Sequence, residues 1–299
     1  MNRLIYRVAV LVVLVWPPVI HAQVRAPTSV QPGDHVVVTM LGADGMGAAA
    51  IRRADGSVVV QAPSFAIGLS PLVKLSCVIL GVATTVAPGE YLLELRSSTG
   101  EPLLSRPLSI GSREFRREEI ALSATLTELR ERDDPQKTVE ALHLQAIVGE
   151  FNLESIYHPG PFRRPIPLTR RTALFGDRRT YLYADGERAV TIHTGVDMAS
   201  PTGTPVVASG SGLVRLARNR IVTGNTIVIE HLPGVFSLYY HLDEMIVAEG
   251  DTVRAGDLIG AVGATGLATG PHLHWEFRVG GVSVDPEKML PGLLVDFDR

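Results

Sequence analysis

The sequence has a single cysteine, few aromatic residues and no marked excess of charge of either sign. One cysteine excludes an internal disulfide, and Cys77, inside the apolar run LVKLSCVIL, is expected to be a small buried side chain in a strand. A formal net charge of -3 on 299 residues gives no support to nucleic-acid binding. No stretch reaches the roughly 20 apolar residues needed to span a bilayer. The helical zinc-binding motif H-E-x-x-H is absent as well.

The first 22 residues differ in character from the rest of the chain. Arg3 and Arg7 precede the run VAVLVVLVW, and Ala22 offers a small residue at which cleavage can occur. This pattern predicts a secretory signal peptide over residues 1–22. The alternative is an uncleaved membrane anchor, which the short apolar run disfavours. We therefore expect a periplasmic or secreted protein without stable membrane insertion after cleavage.

Residues 23–111 consist of short β-branched runs separated by turn residues, such as HVVVTML and GEYLLELRS. Closely spaced strands of this kind predict a small Ig-like β-sandwich. The length of the chain allows two domains with separate cores, and the sandwich is the first of them. Its role is open among a spacer, an inhibitory cover and a targeting module.

Residues 112–172 are predicted to be a linker that is partly helical and partly rich in proline and arginine. Asp134 before Pro135 predicts the N-cap and first position of a helix, whose apolar face contains Val139, Leu142, Ala146 and Val148. The charged run REFRREE is interpreted as a solvated face. The segment 161–171 is expected to run extended and, as a hypothesis about latency, to occupy the substrate groove.

Residues 173–299 alternate strand-like runs with glycine turns and contain no long helical pattern. Strands that follow one another directly predict an antiparallel all-β domain. Five of the nine histidines lie between His193 and His274. This concentration suggests a metal site.

The spacing of these residues sharpens the prediction. The segment HTGVD places His193 four residues before Asp197 and is followed by turn residues, so the two belong to a strand or loop and not to a helix. In HLHWEFRV, the period of a strand puts His272, His274 and Glu276 on one face. We therefore predict that His193, Asp197 and His274 bind a metal ion.

Two histidines and one carboxylate leave the fourth position of a tetrahedral zinc ion open to water, as in catalytic zinc sites. His272 is then placed to accept a proton from that water, and His241 to stabilise the oxyanion. His231 is interpreted either as a residue behind the ligands or as part of a turn. Of Tyr239 and Tyr240, one is expected in the core and the other at the groove.

From about residue 175 to residue 286, the segments FGDRR, HTGVDMASPTGTPVVASGSGLV, GNTIVIEH, YYHLDEM and TGPHLHWEF resemble the lysostaphin/LytM family of zinc metalloendopeptidases. The resemblance implies a C-terminal LytM-type domain of the duplicated-hybrid, barrel-sandwich-like kind. It implies one zinc ion per chain on His193, Asp197 and His274, with His241 and His272 in catalysis. It also implies that the substrate is the peptide part of peptidoglycan.

Two other functions remain open at this point. Some members of the family have lost their ligands and activate other wall hydrolases, so a non-catalytic regulator of cell-wall amidases is one alternative. A zinc peptidase that acts on secreted or host proteins is the other. The intact ligand set favours the peptidoglycan hydrolase.

Overall fold

The computed structural model describes residues 23–41, 45–70, 73–167 and 170–290. The predicted signal peptide, residues 1–22, lies outside the described residues. Within these ranges, no helix is both long and apolar enough to cross a membrane.

The first nine strands form two sheets that face each other. One sheet has the order β1-β3-β7-β6 and the other the order β2-β9-β8-β4-β5. Along β3, every second side chain is buried, as expected of a strand that covers a core. The strands are β1 Gln23–Arg25, β2 Ser29–Val30, β3 His35–Leu41, β4 Met46–Arg52, β5 Val58–Pro63, β6 Phe65–Ser70, β7 Val73–Gly81, β8 Gly89–Ser97 and β9 Pro102–Ile110.

A continuous apolar core fills the space between the two sheets. It includes Val38 and Leu80 from the first sheet and Ile51, Leu93 and Leu108 from the second, all of them fully buried. The all-β prediction is confirmed for this part of the chain. The Ig-like topology and the predicted domain boundaries remain predictions.

The linker contains a strand and two helices: β10 Arg117–Ala121, α1 Ala124–Glu131 and α2 Pro135–Val148. As predicted, Asp134 is the N-cap of α2, and its carboxylate accepts a hydrogen bond from the backbone N–H of Gln136. The predicted apolar face was confirmed at Val148 and wrong at its other three positions. Val139 and Leu142 are exposed, whereas Ile147 and Val148 are buried, because α2 contacts the C-terminal sheet mainly through its last turn.

The C-terminal part is a ten-stranded sheet with a smaller sheet beside it. The order of the large sheet is β11-β14-β21-β18-β17-β16-β19, with β15, β20 and β22 paired off this path, and the small sheet is β10-β12-β13. The strands are β11 Arg171–Ala173, β12 Arg178–Leu182, β13 Arg188–Ile192, β14 Val196–Ala199, β15 Pro205–Val207, β16 Gly212–Arg220, β17 Gly224–Leu232, β18 Val235–Met245, β19 Thr252–Val253, β20 Leu258–Val262, β21 His272–Val279 and β22 Val282–Val284, before a 3-10 turn at Pro286–Met289.

All pairings within the large sheet are antiparallel, as the sequence predicted. The small sheet adds one parallel pair, in which β10 of the linker lies beside β12. The charged linker segment therefore contributes a strand to the C-terminal region, which the interpretation as a solvated face did not anticipate.

The two parts of the chain have separate cores, but strand β7 contributes to both. Leu75, Cys77 and Ile79 of β7 belong to one buried cluster with Met198 and Trp275 of the C-terminal sheet. Cys77 is fully buried in a strand, as predicted, and burial raises the pKa of its thiol to about 12. The sequence did not indicate that the outer face of the first sheet packs against the second part of the chain.

Candidate metal centre

Three ligand-type side chains meet between two paired strands and the loop before them. His193 follows the end of β13, Asp197 lies in β14, and His274 lies opposite Asp197 in the antiparallel register of β14 and β21. His193 Nε2 is 3.0 Å from Asp197 Oδ1 and 3.0 Å from His274 Nδ1, which is itself 2.9 Å from Asp197 Oδ1. All three residues are buried.

These atoms form a nearly equilateral triangle of two nitrogens and one oxygen. Zinc is bound by nitrogen and oxygen ligands at about 2.0–2.2 Å, so one ion can contact all three atoms. The donor set therefore fits a metal ion and provides three protein ligands, as the sequence predicted. The segment HTGVD is a loop followed by a strand, also as predicted.

Gly195 permits the close approach that brings the ligands together. A Cβ atom at this position would lie 2.8 Å from His274 Nε2 and closer still to the carbonyl oxygen of Trp275. Such distances are shorter than any contact that a real Cβ makes. Any residue other than glycine at position 195 would push β21 away from His193 and Asp197.

Hydrogen bonds behind the ligands fix the orientation of both rings. His193 Nδ1 lies 2.8 Å from the carbonyl oxygen of Leu174, which leaves Nε2 for the metal. On the far side of His274, Nε2 is 3.5 Å from Glu276 Oε2. Glu276 has no exposed surface, and its carboxylate also accepts hydrogen bonds from Thr194 and Ser283.

The charges of the ligands depend on burial and on each other. Burial lowers the pKa of His193. Burial alone would raise the pKa of Asp197, but the neighbouring His193 and His274 hold that pKa well below its usual value. Burial acts to lower the pKa of His274, yet its hydrogen bonds to Asp197 and Glu276 raise that pKa to about 9. Without a metal ion, the centre is therefore stabilised by a proton on His274.

His241 and His272 lie next to the ligands, with ring centroids 4.8 Å apart. His241 Nδ1 lies 2.8 Å from the carbonyl oxygen of Thr265, and His272 Nδ1 lies 2.8 Å from that of Gly270. His241 also has a positive φ, of 61°, and no other non-glycine residue in the described ranges has a positive φ. Side chains seldom adopt this conformation, and such residues often occur at functional sites.

All five predicted residues line one open cavity of about 220 Å³. Tyr240 lines it as well, with its ring stacked on that of His274 at 4.9 Å between centroids, whereas Tyr239 is fully buried in the core. The prediction that these two tyrosines divide between core and groove is confirmed.

Arg179 of β12 is a contact that sequence reasoning missed. Its guanidinium donates to Asp197 Oδ2 at 2.6 Å and to Glu118 Oε1 at 2.6 Å. Asp197 thus turns one oxygen toward the histidines and the other toward an arginine that is held by the linker strand β10. No spacing in the sequence indicates these two ion pairs, because Asp197 and Glu118 are 18 and 61 residues from Arg179 along the chain.

Two predicted features lie away from the centre. His231 is fully buried on the other face of the sheet, where it contacts the Ser211 carbonyl and the Ser237 hydroxyl, so both interpretations of it were wrong. Burial lowers its pKa to about 3. In the segment 161–171, Phe162 packs edge-on against Phe277, whose side chain points away from His274 along β21. The described part of that segment therefore does not fill the groove.

Comparison with known proteins places this site in a family. The sequence profile of peptidase family M23 matches residues 191–286. The chain is 41% identical over 138 residues to the DD-carboxypeptidase/endopeptidase Mpg of Neisseria meningitidis, which is 46% of this chain and 29% of that protein. It is 44% identical over 101 residues to the peptidoglycan DD-endopeptidase ShyA of Vibrio cholerae. That match covers 34% of this chain and 24% of ShyA.

A crystal structure of a peptidase M23 from Pseudomonas aeruginosa resembles this chain over most of its length. The two share 25% sequence identity with a TM-score of 0.59, over 87% of this chain and 93% of the other. The curated relatives, by contrast, are matched over less than a third of their length. Because the matched segment 191–286 contains all five residues of the site, we identify this segment as a domain of peptidase family M23, the lysostaphin/LytM-type family, and the structural likeness to an M23 peptidase extends beyond it.

Proposed function

We propose that this chain is an exported zinc metalloendopeptidase that hydrolyses peptide bonds in peptidoglycan cross-links or stem peptides. The observation that carries the proposal is the convergence of His193, Asp197 and His274 at the floor of a cavity that also exposes His241 and His272. The relatives named as DD-endopeptidases support the choice of substrate. Export rests on the character of residues 1–22.

Zinc on this centre would polarise the scissile carbonyl and lower the pKa of a bound water to roughly 7. Asp197 and the two imidazoles hold the ion, and Glu276 and the Leu174 carbonyl keep the rings aligned. Tyr240 covers one face of His274 and excludes water from it.

The hydrogen bonds of His241 and His272 to backbone carbonyls leave Nε2 of each ring free to accept the proton of the attacking water. Burial, together with His272 and His274, lowers the pKa of His241 to about 3, so the ring is neutral at physiological pH. With its Nδ1 proton donated to the Thr265 carbonyl, Nε2 has a free lone pair. Once protonated, the same nitrogen can donate to the oxyanion or to the leaving amine. His272 has the same arrangement through the Gly270 carbonyl, and the assignment of His272 as the proton acceptor and His241 as the group that stabilises the oxyanion stays a prediction.

The decisive experiment incubates the chain from Gln23 with purified sacculi and identifies the released fragments by mass spectrometry. We expect peptide-cut fragments that disappear with a chelator and with His241→Ala. The matched control is His143→Ala, because His143 is an exposed residue of α2 outside the cavity. Stoichiometric zinc without release from sacculi would contradict the proposal and favour a protein substrate, and the absence of zinc would favour a regulator of amidases.

A further inference from the structure

A second cavity, of about 560 Å³, lies beside the metal centre between α2 and the C-terminal sheet. We call it the lateral cavity. It shares Thr194, Val222, Thr223 and Tyr240 with the cavity of the metal centre. A peptide whose scissile bond lies at the metal can therefore continue across these four residues into the lateral cavity.

Arg220, the last residue of β16, lines the lateral cavity and has an unusual environment for a charged side chain. It is only 7% exposed. Its guanidinium donates to the Thr223 hydroxyl at 3.1 Å and to the carbonyl oxygen of Glu140 at 2.9 Å. Among the residues that the structure describes, these partners are neutral oxygens, and no carboxylate pairs with Arg220. A buried charge without an opposite charge is unfavourable, and a bound anion would remove that penalty.

The other charged residues of the lateral cavity already have partners. Arg278 pairs with the buried carboxylate of Glu276. Lys137 donates to the backbone carbonyls of Arg130 and Arg132 at the end of α1.

The remaining carboxylate in the lateral cavity belongs to Glu140. One of its oxygens accepts a hydrogen bond from the backbone N–H of Ile221, and the other accepts one from the Gln136 side chain. The wall thus contains three cations and two carboxylates. Arg220 and Lys137 both lack a carboxylate partner within the described part of the chain, and of these two cations Arg220 is the buried one.

The wall formed by α2 has an apolar patch beside its polar residues. Ala141, Leu144 and Val148 of α2 line it, while Arg220 lines the side formed by the sheet. A small peptide residue that carries a carboxylate matches both walls, because the planar guanidinium can bind the two oxygens of a carboxylate in parallel.

We propose that Arg220 is a carboxylate-binding residue and that the lateral cavity takes a carboxylate-bearing residue of the substrate peptide. That this peptide comes from the cell wall rests on the proposed function. The stem peptides of peptidoglycan carry free carboxylates near the peptide bonds that join them. An ordinary protein substrate need not have a carboxylate at a fixed distance from the bond that is cleaved. The site would thus select a substrate that extends past the metal on the side of α2.

The test compares binding of N-acetyl-D-alanyl-D-alanine with binding of its C-terminal amide to the whole zinc-loaded protein, by calorimetric titration. We expect the acid to bind about ten-fold more tightly than the amide, as a charge-assisted pair provides. Arg220→Gln should abolish this preference by weakening the acid alone. The matched control is Arg218→Gln, since Arg218 lies on the same strand, pairs with Glu249 and is outside the lateral cavity.

Equal binding of acid and amide by the wild type would overturn the proposal, as would an acid preference that survives in Arg220→Gln, because the carboxylate would then bind elsewhere. If Arg220→Gln does not fold, the wild type decides: the guanidinium N–H signals of Arg220 in an NMR spectrum should shift with the acid and not with the amide. Failure of the proposed function has a different signature, namely no cleavage of sacculi by a protein that still prefers the acid.

Discussion

Metal binding at this centre should release one proton, and that proton should come from His274. In the metal-free protein, the bonds of His274 to Asp197 and Glu276 raise its pKa to about 9. The metal needs the lone pair of Nδ1, so the proton must leave. Asp197 is already ionised, because its pKa lies well below the usual value, and burial lowers the pKa of His193, so that ring holds a proton less firmly than His274 does.

The size of the effect follows from the distance between the pKa and the pH. At pH 6.0, about three units below the pKa, roughly one molecule in a thousand has a neutral His274, which opposes metal binding by about 4 kcal/mol. The apparent affinity for zinc should therefore rise about ten-fold for each unit of pH, until the pH approaches the pKa of His274. The affinity must rise and not fall with pH, because His274 holds a proton that zinc binding removes.

Calorimetric titration of the metal-free protein with zinc, in two buffers of different ionisation enthalpy, counts the released protons. The titration is best made at pH 6.0, where a zinc-bound water with a pKa of roughly 7 remains mostly un-ionised and adds little to the count. We expect about one proton per zinc, and the same number for the His143→Ala control. If zinc binds stoichiometrically at this pH but almost no protons are released, His274 is not protonated in the metal-free protein, which refutes the prediction.

Three further outcomes are expected. His241→Ala should lower kcat on wall peptide by about 10²–10⁴-fold with zinc content unchanged, and loss of zinc in this variant would show that His241 is structural. Gly195→Ala should weaken zinc binding by on the order of ten-fold in the same calorimetric assay, because the added methyl group collides with His274 and Trp275; unchanged affinity would mean that β21 adjusts freely. Phe162→Ala should lower the free energy of unfolding by about 3–5 kcal/mol in a denaturant titration, and a gain in peptidase activity would instead revive the hypothesis that residues 161–171 block the groove.

Much of the candidate site could be predicted from the sequence because the side-chain period of a strand is two. That period places His272, His274 and Glu276 on one face, and the structure has them there. The turn residues that follow HTGVD likewise indicated that His193 and Asp197 lie in a strand or loop and not in a helix. These predictions depend only on local geometry, which a short segment specifies by itself.

The contacts of Arg179 and Arg220 could not be predicted in the same way. Arg179 reaches Asp197 through the pairing of β12 with β10 and β13, and Arg220 is buried because α2 lies over the end of β16. Both depend on how distant segments pack, and neither side chain belongs to a recognisable motif. The exposed face of α2 was mispredicted for the same reason, since the helix contacts the sheet by its last turn and not along its length.

Strand β7 shows that one signal of this packing was present in the sequence. A strand that covers one core should alternate apolar and polar residues, whereas the run SCVIL in β7 is apolar on both faces apart from Ser76. In the structure Val78 and Leu80 face the sandwich core, and Cys77 and Ile79 face the C-terminal sheet.

Strand β7 contacts β21 and β22 of the C-terminal sheet, and Cys77 and Ile79 share a buried cluster with Leu273 and Trp275 of β21. These two residues of β21 alternate with His272 and His274 along the strand, so the sandwich supports that strand from the face opposite the candidate metal centre. This position does not fit an inhibitory cover, because these contacts leave the groove open. It favours a leading domain that holds the catalytic sheet in place.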